Sequence, residues 1–273
     1  MTSYFRTKKA YNNPDFLNSQ SSRLIRINCE YEEPRMRLHE YGIDGATIFF
    51  GSARSKSNED RHRHLRALEL GMPRSRVKEY TNKLQQLDKE SELTYWHDKT
   101  QELAYRLTAW DMKTHGKQKF PVCSGAGPGM MKAANQGAYE AGGISIGFGI
   151  SLPFEQANNQ YVTPELDFEF HYFFMRKFWL MTLAKGIVVS PGGVGTMDEI
   201  FEFLTLRQTG KINKDIPAVF FGKDFWDDII NFEALKDWGV ISDDDDEMFL
   251  ITNSVDEAMD YLTQRMDTAP AEY

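Results

Sequence analysis

The chain has 273 residues, 41% of them hydrophobic and 26% charged, with a formal net charge of −8, a globular composition that excludes a low-complexity or disordered chain and leaves a core large enough to enclose a ligand site. The acidic balance argues against a nucleic-acid partner, because the short basic stretches at 6–9 and 60–66 read as solvated faces rather than a patch. No run approaches the roughly 20 apolar residues of a membrane span, the N-terminus has no apolar signal region, and Cys29 and Cys123 stand far apart in no metal-type spacing, which together point to a cytoplasmic protein with neither a membrane nor a metal partner.

In chain order, residues 1–22 are polar and read as a mobile segment or one draped on a partner. Residues 23–41 predict a short helix that Pro34 breaks. "ATIFFGSA" (46–53) predicts the first buried strand, ending in Gly-Ser, and a polar insert spans 54–114. Its second part, 88–114, carries apolar residues at 93, 96, 103, 107 and 110, the spacing of an amphipathic helix.

Residues 119–143 predict a strand, a glycine turn and a helix capped by left-handed Gly142. "ISIGFGISL" (144–152) and the alternating "LDFEFHYF" (166–173) predict strands. A helix over 174–185, a strand over 186–193 and a helix over 196–210, closed by Gly210, follow. Strands over 216–222 and 248–254 complete the pattern, each leading into a helix. The acidic run 243–247 reads as a solvated loop, with a metal site as the weaker alternative. There is no internal repeat. Buried strands alternating with helices define an α/β chain, a parallel sheet covered on both faces.

Three strands end in related loops: "FFGSAR" with Gly51 and Ser52, "VCSGAGPG" with Gly125, Gly127 and Gly129, and "VVSPGGVGT" with Gly192, Gly193, Gly195 and Thr196. Ligands of an open parallel sheet bind beyond the carboxyl ends of its strands, so the three loops are expected at one edge. Glycine lets backbone approach an anion, and the N–H groups and dipole of a following helix attract it. Together with the Thr196 hydroxyl these make an anion cradle, and phosphate is its usual occupant.

The second loop departs from G-x-G-x-x-G, since the sixth position from Gly125 is Met130, and no Walker lysine follows any loop. A hydride-transfer enzyme or ATPase is therefore disfavoured, and a mononucleotide is the better ligand. Thr196 and Glu199 also have capping-box spacing, which leaves Glu199 two readings, helix cap or site group. Arg176 and Lys177 interrupt the aromatic run "FFMRKFW". A buried guanidinium there needs a partner, a carboxylate, a phosphate or vicinal hydroxyls; the alternative is an arginine on the polar face of the helix.

"PGGVGTMDE" (191–199) matches P-G-G-x-G-T-x-x-E and resembles the signature of the LONELY GUY family of nucleoside-monophosphate phosphoribohydrolases. "MRK" (175–177) is similar to that family's Arg-Lys segment, and "FFGSAR" and "SGAGPGMMKAANQGA" resemble its first two loops. The resemblance covers roughly residues 44–265. It implies a doubly wound, Rossmann-like parallel sheet: an N-terminal extension (1–43), one nucleotide-binding catalytic domain (44–265) and a C-terminal tail (266–273).

The implied reaction is hydrolysis of the N-glycosidic bond of a nucleoside 5′-monophosphate, AMP or a cytokinin ribotide, by a homodimer or dimer-based oligomer that uses no cofactor. Arg176 and Glu199 are the implied catalytic pair. Gly192, Gly193, Gly195 and Thr196 are the implied phosphate grip, and Ser52, Gly125, Gly129, Met175 and Lys177 complete the expected substrate site. The chain departs from short family members in its N-terminal extension, its 54–114 insert and Pro128 in the second loop. The aromatics of "HYFFMRKFW" and Met130–Met131 stand between a base pocket and core. A non-catalytic nucleotide-binding protein and a phosphoribosyl transferase are the competing readings.

Overall fold

The computed structural model describes residues 7–71, 77–152, 157–212, 216–242 and 249–266, with backbone only at 64–65, 67–71 and 77–90. The acidic run 243–247, the first six residues and the tail beyond Met266 lie outside the described residues.

Seven strands form one sheet: β1 (Ala46–Phe50), β2 (Val122–Ser124), β3 (Ser145–Ile150), β4 (Asp167–Phe170), β5 (Ala184–Val189), β6 (Ala218–Phe221) and β7 (Phe249–Thr252). Their spatial order is β4-β3-β2-β1-β5-β6-β7, and every pairing is parallel. The chain grows outward from β1 to β4, then returns to lay β5 on the other side of β1. The topological switch point therefore falls between β1 and β5.

All residues of β1, β2, β3, β5 and β6 are buried, as near-continuous apolar runs require when helices cover both faces. Alternate side chains feed two cores. Ile48, Phe50, Ile187 and Val189 face one, and Phe49, Val122, Val188 and Val219 face the other.

The helices are α1 (Pro14–Leu17), α2 (Arg23–Glu40), α3 (Asn58–Gly71), α4 (Val77–His115), α5 (Met130–Glu140), α6 (Phe173–Leu183), α7 (Val194–Gln208), α8 (Lys223–Ile229), α9 (Phe232–Asp237) and α10 (Val255–Met266). Leu103 of α4, Ala134 of α5 and Leu262 of α10 pack into the core on the Phe49 face, while Leu38 of α2, Leu180 of α6 and Phe203 of α7 pack into the other. The amphipathic helix expected over 88–114 is the latter part of the 39-residue α4.

Two expectations for the N-terminal region change. Residues 7–22 are not a loose segment: they form short helical turns against α2, and the Arg26 guanidinium donates to the carbonyls of Leu17 and Ser19, each at 2.7 Å. Pro34 does not break α2 but lies buried inside it. Proline leaves the carbonyl four residues earlier without its helical donor. That carbonyl belongs to Glu30, and the indole Nε1 of Trp179 on α6 donates to it at 3.0 Å. A tertiary bond thus replaces the missing helical one.

The same residue braces α6 a second time. The Glu30 carboxylate accepts from the backbone N–H of His171 at 2.9 Å and of Tyr172, the N-cap of α6, at 3.3 Å. A carboxylate there also complements the helix dipole. Tyr31 packs against the rings of Phe178 and Trp179. α2 therefore fixes the helix that carries Arg176.

Candidate active site

The loops after β1 and β5 leave the switch point side by side. Ser190 N–H donates to the Phe50 carbonyl at 2.9 Å and Ser52 N–H to the Pro191 carbonyl at 3.0 Å, so the pairing runs past the strand ends. Behind them the buried hydroxyls of Ser190 and Thr100 on α4 lie 2.7 Å apart. The second loop joins through Met130 N–H, which donates to the Ser52 carbonyl at 2.9 Å. This contact needs Gly129, whose φ is +69° and where a Cβ would sit 2.2 Å from that same carbonyl oxygen. The turn itself is pinned by Asn159, whose side-chain amide donates to the carbonyls of Ala126 and Gly127 at 3.0 and 3.2 Å.

The three loops enclose a cleft of about 840 Å³. Ser52, Gly125, Arg176, Gly192, Gly193, Gly195, Thr196 and Glu199 all line it. Three expected residues do not. Met175 faces the core, 7% exposed, and the Lys177 amine pairs with Asp198 at 3.0 Å and Glu202 at 2.5 Å on α7. Helix phase explains both, because consecutive residues point about 100° apart and only Arg176 of the "MRK" triplet turns toward the cleft. Gly129 lines a separate cleft behind the first loop.

α7 begins at N-cap Gly193, which makes no side-chain cap bond. Thr196 lies in the first helical turn rather than at the cap, so the capping-box reading of Thr196 and Glu199 is not realised. The Thr196 side chain lies over Gly192, where a Cβ would meet its hydroxyl oxygen at 2.1 Å. The helix start thus presents backbone N–H groups, a hydroxyl and the positive end of a dipole to the cleft.

One turn further in, Glu199 is 5% exposed. Its Oε1 lies 3.5 Å from an Arg176 guanidinium nitrogen, and its Oε2 has no hydrogen-bond partner among the described residues. Burial pushes this carboxyl up to about 7, against the opposing pull of Arg176 and Lys177 and with reinforcement from Asp198 and Glu202. Arg176 is itself half-sheltered, with its Cζ 5.1 Å from the Phe173 ring centroid. A buried carboxyl poised near neutrality beside a guanidinium is a combination that proton transfer and cation stabilisation both use.

Met131 and Phe173, left between base pocket and core by the sequence, line the cleft, and so does Arg54, which the sequence reading did not assign. Arg54 had a signal, since it directly follows Gly51-Ser52-Ala53 in a loop already singled out. Met130 is core at 1% exposure while Met131 reaches the cleft, and of the aromatic run Phe173 lines it while Trp179 is buried.

An all-parallel sheet with a glycine-lined cleft at its switch point defines an α/β protein of the Rossmann-like class. Residues 131–262 match the family model described as "Possible lysine decarboxylase". Over that stretch, just under half of the chain, the sequence is similar to this family, in keeping with the LONELY GUY resemblance of its motifs and with a nucleotide-related enzyme. The match is narrower than the sequence resemblance, and Ser52 and Gly125 fall outside it. No curated protein matches the chain.

Solved structures similar to the chain include the structural-genomics X-ray structure of TM1055, at 21% identity over 81% of this chain and 99% of that one, with a TM-score of 0.46. The Moco carrier protein of Chlamydomonas reinhardtii is similar at 18% identity over 82% and 98%, with a TM-score of 0.44. The molybdenum cofactor binding protein of the phototrophic bacterium Rippkaea orientalis is similar at 17% over 60% and 86%, with a TM-score of 0.41. What those proteins carry is a property of those proteins.

The decarboxylase in the family's description does not fit the cleft. Pyridoxal chemistry needs a lysine amine to hold the cofactor. Among the described residues no lysine lines the cleft, and Lys177 is committed to its ion pairs.

Proposed function

We propose that the protein hydrolyses the N-glycosidic bond of a nucleoside 5′-monophosphate, releasing the free base and ribose 5-phosphate. The observation that carries this reading is Glu199: buried, with one oxygen unpartnered, one helical turn inside the loop that offers the anion cradle, and facing the same cleft as Arg176.

In this reading the 5′-phosphate sits at the start of α7, on the backbone of Gly192, Gly193 and Gly195 and on the Thr196 hydroxyl. That anchor fixes the ribose relative to Glu199. As the bond from C1′ to the base nitrogen breaks, positive charge develops on the ribose, and the Glu199 carboxylate stabilises it. Water forms the new C1′–O bond and gives a proton to Glu199, while the departing nitrogen takes up a proton from solvent, to which Glu199 afterwards returns its own. Arg176 holds the carboxylate and balances its charge. Met131 and Phe173 offer apolar surface to a base, with AMP and cytokinin ribotides as the substrate class.

The reading carries the rest of the assignment with it. Residues 44–265 form the catalytic unit, preceded by the extension 1–43 and followed by the tail 266–273, and the protein works in the cytoplasm as a homodimer or dimer-based oligomer. Exposed Phe174 and Phe178 on α6 support such self-association. No helix among the described residues is long and apolar enough to cross a membrane. The test is chromatography of AMP incubated with the protein and no added acceptor. Adenine and ribose 5-phosphate in equal amounts support hydrolysis. AMP recovered unchanged, though bound, makes the protein a nucleotide binder instead.

A further inference from the structure

Behind the first glycine loop lies a second cleft, of about 720 Å³, that glycosidic chemistry does not use. Four parts of the chain build it: the segment 53–57 after β1, Asp60 of α3, the start of α5 at Pro128, Gly129 and Lys132, and His97 of α4. Arg54 lines both clefts, so they meet at that side chain.

Its charge is opposite to that of the protein. Arg54, Lys56 and Lys132 line it, and among the described lining residues Asp60 is the one carboxylate, in a chain of net charge −8. Arg54 and Lys132 form no ion pair with a carboxylate among the described residues; Lys132 instead lies 5.9 Å from the centroid of the Tyr161 ring. Arg54 and Lys132, brought together without carboxylate partners among the described residues, repel one another, and a bound anion removes that cost. His97 adds a ring rather than a charge: it is 2% exposed, burial pulls it below its ordinary value, and its Nδ1 lies 3.4 Å from Asp98 Oδ1.

The start of α5 supplies a further element. The Met130 N–H is taken by the Ser52 carbonyl, which leaves the N–H groups of Met131 and Lys132 in the unsatisfied first turn of this 11-residue helix. The positive end of the dipole lies there as well. Gly129 at the N-cap puts no side chain in the way.

We propose that this second cleft binds a phosphoryl group, held by Lys132, Lys56 and Arg54 at the start of α5. The group is either free inorganic phosphate or a second phosphate on a ligand that also occupies the main cleft. In the latter case Arg54, at the junction, contacts both halves of the ligand. The assignment does not depend on which reaction the main cleft performs.

Calorimetric titration of the full chain with inorganic phosphate at low ionic strength tests it. The wild-type chain is expected to show two binding events. Lys132→Gln weakens one by at least about fivefold, as loss of a charge-assisted contact implies, and Thr196→Val weakens the other. Lys56→Gln is an independent variant at a second point of the same cleft, and thermal melts check that each variant folds. A parallel titration compares AMP with adenosine 3′,5′-bisphosphate. A gain for the bisphosphate that Lys132→Gln removes assigns the site to a tethered phosphate; a phosphate event alone assigns it to the free ion. If neither the phosphate isotherm nor the bisphosphate-to-AMP ratio changes in Lys132→Gln and Lys56→Gln, the proposal is overturned. Failure of the N-glycosidase reading looks different: AMP is not cleaved, while Lys132→Gln still weakens phosphate.

Discussion

A guanidinium nitrogen of Arg176 stands 3.5 Å from one carboxylate oxygen of Glu199, and the other oxygen of Glu199 is buried with no hydrogen-bond partner among the described residues. The two residues are 23 positions apart and come from the helices on either side of β5, the strand that delivers the third glycine loop. The contact is long for an ion pair and leaves the carboxyl incompletely compensated, which is why burial dominates its titration.

That imbalance makes stability depend on pH in a definite direction. Burial raises the Glu199 carboxyl to about 7 from its ordinary value of 4.5, so the folded state favours its protonated form. The group costs nothing below about pH 4.5, and the cost grows as pH rises and is fully present above about 7. The shift corresponds to roughly 3 kcal/mol. Glu199→Gln is therefore expected to be more stable than wild type at pH 8 and similar to it at pH 4.5. Denaturant melts of both proteins across this range check the prediction; a stability difference that does not change with pH contradicts it.

Thr196→Val keeps the shape that lies over Gly192 but removes the hydroxyl. A lost hydrogen bond to a charged group is worth about 1.5–3 kcal/mol, so AMP affinity should fall by about ten- to a hundredfold with the fold intact. Calorimetry measures this directly, and an unchanged affinity moves the phosphate away from α7.

Glu30→Ala removes the carboxylate that accepts two backbone N–H groups at the start of α6. Loss of a helix cap costs about 1 kcal/mol. Because α6 carries Arg176, AMP turnover should fall by more than the population of unfolded protein explains, while Glu30→Gln, which keeps an acceptor oxygen, recovers part of it. Turnover and thermal melts on the two variants separate this positioning effect from plain destabilisation.

Much of the fold was legible because fully buried parallel strands leave continuous apolar runs and several helix stops carry a glycine. Gly142 and Gly210 both have positive φ, as left-handed caps require. Pro34 misled because its local effect is cancelled by Trp179, 145 positions later, a partner that no local pattern reveals. Within the site, the glycines, Thr196, Arg176 and Glu199 were readable from motif and spacing. Met175 and Lys177 were assigned by adjacency to Arg176, and helix phase turned them elsewhere. The second cleft could not be read at all, since His97, Arg54 and Lys132 come together only when α4, the first loop and α5 pack.

The most direct test of the account is the effect of Glu199→Gln on AMP, with adenine release and AMP binding measured on the same preparation. The account predicts release slowed by at least about a hundredfold, the scale of a positioned acid–base group, with AMP binding still detectable. Adenine release at the wild-type rate in the Gln variant would contradict it.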